Sequence, residues 1–181
     1  MLKIRLLPLL LAAPALFAAP AYAGVQAGDT EIGIFTSISS DNEADTSSFT
    51  LQGSFGKFFT DNLEGKLGAA ISTTTDAAGD STGFMDIGGG GDLTLGGAKQ
   101  QLVPYVGGLM NMSIVTSGDL SGVGLTLDIH AGCKFFLTER ASLDLQFKQV
   151  GGTVTISDSY GNEFDSDINR TVIQFGVNVY L

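Results

Sequence analysis

Apolar residues alternate with polar or small residues along most of the chain, and a period of two is typical of β-strands that have two different faces. Together with the turn residues between the runs, this pattern predicts eight strands, at approximately 29–38, 47–59, 63–74, 83–95, 102–114, 122–136, 141–151 and 169–181. Short connections of Thr, Asp, Asn and Gly type are predicted at 60–62, 96–101 and 137–140. Longer polar, mostly acidic connections alternate with them, at 39–46, 74–81, 115–121 and 157–169. The strands are therefore expected to form an up-and-down meander with two unlike ends.

The sixth predicted strand shows what each face carries. One face has Val123, Leu125, Leu127, Ile129, Ala131, Cys133 and Phe135, and the other has Gly124, Thr126, Asp128, His130, Gly132 and Lys134. A water-soluble barrel needs an apolar interior, for which the charged face is unsuited. If the apolar face meets lipid and the polar face lines a small lumen, both faces are accommodated. We therefore predict an all-β fold, an eight-stranded antiparallel transmembrane β-barrel with short periplasmic turns and longer extracellular loops.

The last run of the chain alternates to its final residue, with Ile173, Phe175, Val177, Val179 and Leu181 apolar. A closed barrel pairs its last strand with its first and so leaves no free edge. Closure is obligatory in lipid, which offers unpaired backbone no hydrogen-bond partner. We therefore expect the eighth strand to stay intact to its end.

The first 23 residues have the features of a signal peptide. Lys3 and Arg5 precede an apolar run, and Ala21-Tyr22-Ala23 supplies a small-x-small cleavage pattern. A retained transmembrane helix is the alternative, but the run is short and interrupted by prolines. We predict residues 1–23 as signal peptide and 24–181 as one barrel domain, exported to a Gram-negative outer membrane.

Charge and cysteine content narrow the class of partner. The full chain has a formal net charge of −10, and removal of the two basic residues in the leader leaves about −12. This acidity argues against nucleic acid, which requires a basic surface. A single cysteine, Cys133, excludes an intramolecular disulfide framework and is too few for a thiolate metal site.

Three stretches resemble the hairpins of a known family: GKFFTDNLEGKLGAAIS (56–72), PYVGGLMN (104–111) and GCKFFLTERASLDLQFK (132–148). They are similar to the small outer-membrane β-barrels that include the N-terminal barrel of outer membrane protein A, a porin-like barrel domain. The C-terminal residues Gln174, Gly176, Val179 and Leu181 resemble the assembly signal of such barrels, although Leu181 replaces the usual final aromatic residue. The resemblance implies outer-membrane lipid, lipopolysaccharide, the barrel-assembly machinery and periplasmic chaperones as partners, and is compatible with a monomer.

A set of charged residues and one histidine is predicted to point into the lumen. Its members are Glu31, Glu64, Lys66, Asp86, Asp92, Asp128, His130, Lys134, Asp144, Lys148 and Arg170. The turn at 137–140 sets a register that brings Lys134 near Asp144 and His130 near Lys148. Eight strands leave an interior that side chains nearly fill, so a salt-bridged plug is the first interpretation. A narrow channel for small solutes, gated by these charge pairs, is the second.

Catalytic, cofactor and metal sites are not predicted. His130 is the only histidine, and His130-Ala131-Gly132 lacks the serine of the His-x-Ser pair found in lipid A deacylases. The run from Asp165 begins like a calcium loop, but Arg170 and Gly176 occupy the positions that require Gly and Glu. A structural surface role therefore ranks first and the channel second, followed by an adhesin and, last, a lipid A-modifying enzyme.

Aromatic residues gather near both predicted ends of the strands, and we expect them to form two interfacial girdles. The group near the short turns comprises Phe55, Phe58, Phe59, Tyr105, Phe135, Phe136 and Tyr180. The group near the longer connections comprises Phe35, Phe49, Phe84 and Tyr160.

Overall fold

The computed structural model describes residues 25–41, 46–96, 100–158 and 160–181. The predicted signal peptide and much of the first acidic connection lie outside these ranges. Every regular element in the described part of the chain is a strand, and no helix there is long and apolar enough to cross a membrane. The strands are β1 (Thr30–Asp41), β2 (Thr46–Phe58), β3 (Leu63–Thr75), β4 (Ser81–Thr94), β5 (Leu102–Ser117), β6 (Leu120–Thr138), β7 (Ala141–Ser157) and β8 (Glu163–Tyr180).

Each strand pairs antiparallel with its neighbours in sequence, and β8 pairs with β1 to close the barrel. The closing register matches Glu31 with Tyr180 and Thr36 with Phe175. Beyond the last strand residue, Thr30 and Leu181 exchange backbone hydrogen bonds of 3.0 and 2.9 Å. The predicted eight-stranded, closed, antiparallel fold is therefore confirmed, including the participation of the last residues in closure.

The two faces of the sheet follow the predicted alternation. Most large apolar side chains on the outer face are 40–65% exposed, among them Ile34, Leu67, Met110, Leu125 and Phe175. The inner face carries buried Glu, Asp, Lys, Gln and Asn side chains instead. An apolar exterior around a polar interior reverses the arrangement of a water-soluble barrel, and it is the arrangement that lipid requires.

The predicted boundaries fail at one end of the barrel. We call the end with the connections 59–62, 95–101 and 139–140 the turn end, and the opposite end the hairpin end. At the hairpin end two of the stretches predicted as longer loops, 115–121 and 157–169, are mostly strand, because β5 and β6 join through residues 118–119 and β7 and β8 through 158–162. Polar β-branched residues extend the ladder there: Thr153 and Thr155 donate side-chain hydrogen bonds to Asp167 and Asp165 across β7 and β8.

Two hairpins use the same local chemistry. Asp76 and Asp158 each accept hydrogen bonds of 2.9–3.0 Å from two backbone amides of their own turns. Gly79 and Gly161 take the left-handed position in these turns, with φ of 88° and 82°. A five-residue turn that begins with Asp and has Gly fourth therefore replaces the longer loop expected at each place.

Candidate functional site

All eleven predicted lumen residues lie on the inner face of the barrel. Nine are buried, and Asp86 and Arg170 are partly exposed nearer the hairpin end. Six of the eleven are carboxylic acids and four are Lys or Arg, with His130 as the remaining member. Buried charges are costly unless they are paired, so the arrangement of contacts determines what this set can do.

The group nearest the turn end is centred on two lysines. Lys134 contacts Glu31 and lies 3.5 Å from Oε2 of Glu64. Lys66 lies 3.1 Å from Glu31, 3.6 Å from Glu64 and 2.7 Å from Asp92. Each ammonium group therefore contacts more than one carboxylate, which is possible because it has three N–H donors.

His130 links this group to the next one along the lumen. Its Nε2 lies 2.7 Å from Asp92 Oδ1 and its Nδ1 lies 2.9 Å from Asp128 Oδ1. The second oxygen of Asp128 is 2.9 Å from Lys148, which in turn donates a hydrogen bond of 2.7 Å to Gln52. The predicted register of His130 opposite Lys148 is present, and Asp128 bridges the two side chains.

Asp144 anchors a neutral branch of the network. It lies opposite Lys134 in the sheet, as predicted, but its oxygens accept hydrogen bonds from Tyr105 (2.8 Å) and Asn178 (3.0 Å). Gln146 donates to the Tyr105 hydroxyl at 3.1 Å. Lys134 pairs with Glu31 and Glu64 because their strands face it across the lumen, a relation that neighbouring-strand register does not reveal.

Glycines on the inner face give the network its room. A Cβ at Gly107 would collide with Asp92 and His130, and one at Gly132 would collide with the Tyr105 ring. Tyr105 and Gly132 are directly opposite in β5 and β6. The glycine content that marked the inner face in the sequence therefore makes space for side chains that cross a narrow interior.

An apolar cluster lies between the network and the turn end. Val25, Phe58, Val103, Phe136 and Tyr180 are all at most 4% exposed, and Phe136 stacks on Tyr180 with ring centroids 5.2 Å apart. We call these five residues the apolar stopper. Val25 enters because the chain before β1 folds across the barrel mouth, held by hydrogen bonds from Gly28 N to Phe58 O and from Phe58 N to Asp29 O.

The stopper corrects the expected aromatic girdle. Phe58, Phe136 and Tyr180 point inward, as do Tyr105 and Phe35, whereas Phe55 and Phe59 are exposed on the outside. The alternation along each strand assigns these inward side chains to the correct face. The expectation of a girdle was wrong for them because it considered only how near each residue lies to a strand end. No pattern in the sequence indicated Val25, which precedes the first alternating run.

Little space remains in the lumen between these groups. A cavity of about 30 Å³ lies between the tier of Asp128 and Lys148 and that of Asp86 and Arg170. This volume corresponds to about one water molecule. Arg170 lies 3.4 Å from Asp86 Oδ2 and 3.4 Å from Ser72 Oγ, so the last tier of charge is more loosely bonded than the first.

The four residues of the assembly-signal pattern divide between the faces. Gln174 is fully buried in the lumen, and Gly176 lies under the Phe35 ring in the neighbouring strand. Val179 and Leu181 are exposed on the outer face. The pattern thus combines two lumen positions with two outer positions on the strand that closes the barrel.

The outer side chains such as Ile34, Leu67 and Leu125 form an apolar belt around the barrel, and the lumen is filled and charged. This eight-stranded architecture is the fold of the small barrels of bacterial outer membranes. Solved structures support this at the level of the fold. The outer membrane protein OprG of Pseudomonas aeruginosa aligns with a TM-score of 0.62 at 17% identity, covering 87% of this chain and 98% of that one. The N-terminal barrel of Pseudomonas aeruginosa OprF aligns with a TM-score of 0.54 at 18% identity, covering 86% and 98%.

Neisserial surface protein A aligns with a TM-score of 0.57 at 14% identity, covering 83% of this chain and 94% of that one. Sequence comparison finds no protein family whose model matches the chain and no curated protein that resembles it. The resemblance noted in the sequence is therefore confirmed for the fold, in the absence of close sequence similarity.

Proposed function

We propose that this protein is an integral outer-membrane barrel whose main role is structural and whose lumen is closed. The apolar belt supports the membrane location, because side chains such as Ile34, Leu67 and Leu125 would otherwise be exposed to water around the whole barrel. The strand lengths agree, since 12–19 residues exceed the roughly 9–11 that a tilted strand needs to cross a bilayer.

The packing of side chains in the lumen is the observation that supports the proposal. Lys134, Lys66 and His130 join four carboxylates into one bonded network across the interior. The apolar stopper covers the network at the turn end, and only about 30 Å³ is open between the network and the level of Asp86 and Arg170. A conducting pore needs a continuous aqueous path, for which this packing leaves no room.

The surface of the barrel at the hairpin end is acidic, in agreement with the net negative charge of the chain. Glu163, Asp165 and Asp167 lie on the outer face of β8 above its apolar residues. We propose that these carboxylates keep the hairpin end soluble and contact lipopolysaccharide through bridging divalent cations. The barrel-assembly machinery and periplasmic chaperones are proposed as partners during biogenesis, acting on the strand that contains Gln174 and Gly176.

We also propose that the barrel has no catalytic activity. The only histidine, His130, is 3% exposed and has both ring nitrogens bonded to carboxylates. A general base must reach the proton of a substrate, and this ring is already engaged on both sides.

Single-channel conductance in planar bilayers tests the closed lumen. Wild type, Lys134→Ala and Arg170→Ala would be refolded, and the boiled and unboiled samples compared on gels to verify folding. We expect no discrete steps from the wild type. Steps in the Lys134→Ala variant alone would support the network as the closure. Steps in the wild type that change with these substitutions would overturn the proposal and make small-solute transport the function.

A further inference from the structure

The relation between the two faces reverses at the hairpin end. Within the belt, apolar side chains point out and polar ones point in, but beyond it Thr153, Thr155 and Asp165 point out while Val154 and Ile156 point in. Polar outside and apolar inside is the arrangement of a barrel in water. The ends of β4–β8 therefore form a water-surrounded wall around an apolar interior.

This interior is an open cup of about 400 Å³. Its apolar lining comprises Phe84, Val115, Leu120, Val154, Ile156, Phe164 and Ile168. Ligand sites for small molecules have volumes of about 300–1,000 Å³ and are lined mainly by apolar side chains with a few polar groups. The cup meets both conditions, and it is separate from the bonded network of the lumen.

Arg170 is the cationic residue among those that line the cup, and it also lines the small lumen cavity. Asp167, the other charged residue of the lining, accepts a hydrogen bond of 3.3 Å from Thr153 on the neighbouring strand. Its guanidinium packs on the Phe84 ring at 4.7 Å, which fixes its plane. Its two contacts, with Asp86 and Ser72, are both long at 3.4 Å, and its buried Nε has no hydrogen-bond partner among the described residues. The Arg170 side chain has five N–H donors in one plane, and none of them makes a short hydrogen bond with the described residues.

Asp86 is the competing anion next to Arg170. One of its oxygens accepts a hydrogen bond of 2.5 Å from Ser113, and the other lies 3.4 Å from the arginine. Arg170 therefore forms only a long ion pair with Asp86, and its N–H donors remain available to a second acceptor. A planar carboxylate is the acceptor that matches a guanidinium in geometry.

We propose that the cup binds a small monocarboxylate with an apolar body, such as a medium-chain fatty acid or an arylcarboxylate. The apolar walls take the body, and Arg170 at the base takes the carboxylate. The site faces the medium at the hairpin end, so binding does not require an open lumen and goes beyond the structural role proposed above.

Calorimetric titration with octanoate tests the proposal, using the protein in zwitterionic-lipid nanodiscs near neutral pH with empty nanodiscs subtracted. We expect saturable binding to the wild type and weaker binding of octan-1-ol, which has the same chain length but no charge. Arg170→Gln is expected to weaken octanoate binding about tenfold to a hundredfold, the usual worth of a hydrogen bond to a charged group. Octanol binding should stay unchanged in this variant.

Two further variants make the test specific. Ser166→Phe places a ring in the cup without changing charge and should abolish binding of both ligands. Arg140→Gln removes the exposed arginine at the turn end and should leave binding unchanged. Equal octanoate binding in wild type, Arg170→Gln and Ser166→Phe would mean partition into lipid and would overturn the site. Equal affinity of the wild type for octanoate and octanol would overturn the carboxylate specificity, even if a variant failed to fold.

Discussion

Replacing Lys134 by Met should be the most damaging single substitution in the lumen. Lys134 is fully buried, pairs with Glu31 and Glu64, and has the rings of Phe58 and Tyr105 5.5 and 5.2 Å from its ammonium group. Methionine fills a similar volume with an apolar chain, so the substitution removes the charge while changing the packing little. What remains is a pair of buried carboxylates that share Lys66 as their nearest cation.

The magnitude follows from the cost of leaving a buried charge uncompensated. Removing one partner of a buried ion pair destabilises proteins by about 3–5 kcal/mol, far more than the pair contributes in total. Lys66 remains 3.1 Å from Glu31 and 3.6 Å from Glu64, so we expect the lower end of this range, about 3 kcal/mol. At a typical urea dependence of about 2 kcal/mol per M, the unfolding midpoint would fall by about 1.5 M.

Urea unfolding of the barrel in lipid vesicles measures this effect, with circular dichroism and the compact band on unheated gels as two signals. Lys57→Met is the matched control, because Lys57 is an exposed lysine bonded to Gly28 O, and it should change stability by less than about 1 kcal/mol. In the double variant with Glu31→Gln, the loss should be smaller than the sum of the two single losses. An unchanged midpoint in Lys134→Met would refute the idea that these ion pairs hold the lumen closed.

Three other predictions test separate features. Tyr105→Phe removes a donor to Asp144 and an acceptor for Gln146, and should cost about 1–3 kcal/mol in the same urea assay. Gly132→Ala drives a methyl group into the Tyr105 ring and should cost a similar amount, whereas Gly53→Ala, on an open outer face, should be close to neutral; equal effects would contradict the packing argument. Hydrogen bonds from Asn162 and the turn amides lower the pKa of Asp158, so its stabilisation of the hairpin is present at neutral pH and lost as acid protonates it. A carboxyl-carbon NMR titration with a midpoint at or above the ordinary Asp value would contradict this.

The sequence predicted the fold well because lipid enforces a simple alternation. Each belt position of β6 from Val123 to Phe135 obeys it, and the turn at 137–140 then determined the pairing of Lys134 with Asp144 in the sheet. The lumen membership of all eleven charged or histidine residues followed from the same parity. A period of two, once anchored at a tight turn, assigns every side chain of a strand to a face.

The partners of these side chains could not be predicted in the same way. Lys134 bonds to Glu31 and Glu64, which are distant in sequence and not on strands adjacent to β6. Contacts across a lumen depend on side-chain length and on which inner positions are glycine, as Gly107 illustrates beneath Asp92 and His130. Strand register constrains neighbours within the sheet and gives no direct information about opposite walls.

The misjudged boundaries at the hairpin end have one physical cause. The predicted strands stop at 151 and resume at 169 because the outer face is no longer apolar between these positions, although the alternation continues with Val154, Ile156 and Ile168 pointing inward. A strand that leaves lipid for water must exchange its faces: lipid favours an apolar exterior, and water favours an apolar interior. The reversal of the pattern therefore marks the membrane boundary along β7 and β8, and it is also what creates an apolar cup above Arg170. A search for alternation that allows the apolar set to change parity would have extended both strands from the sequence alone.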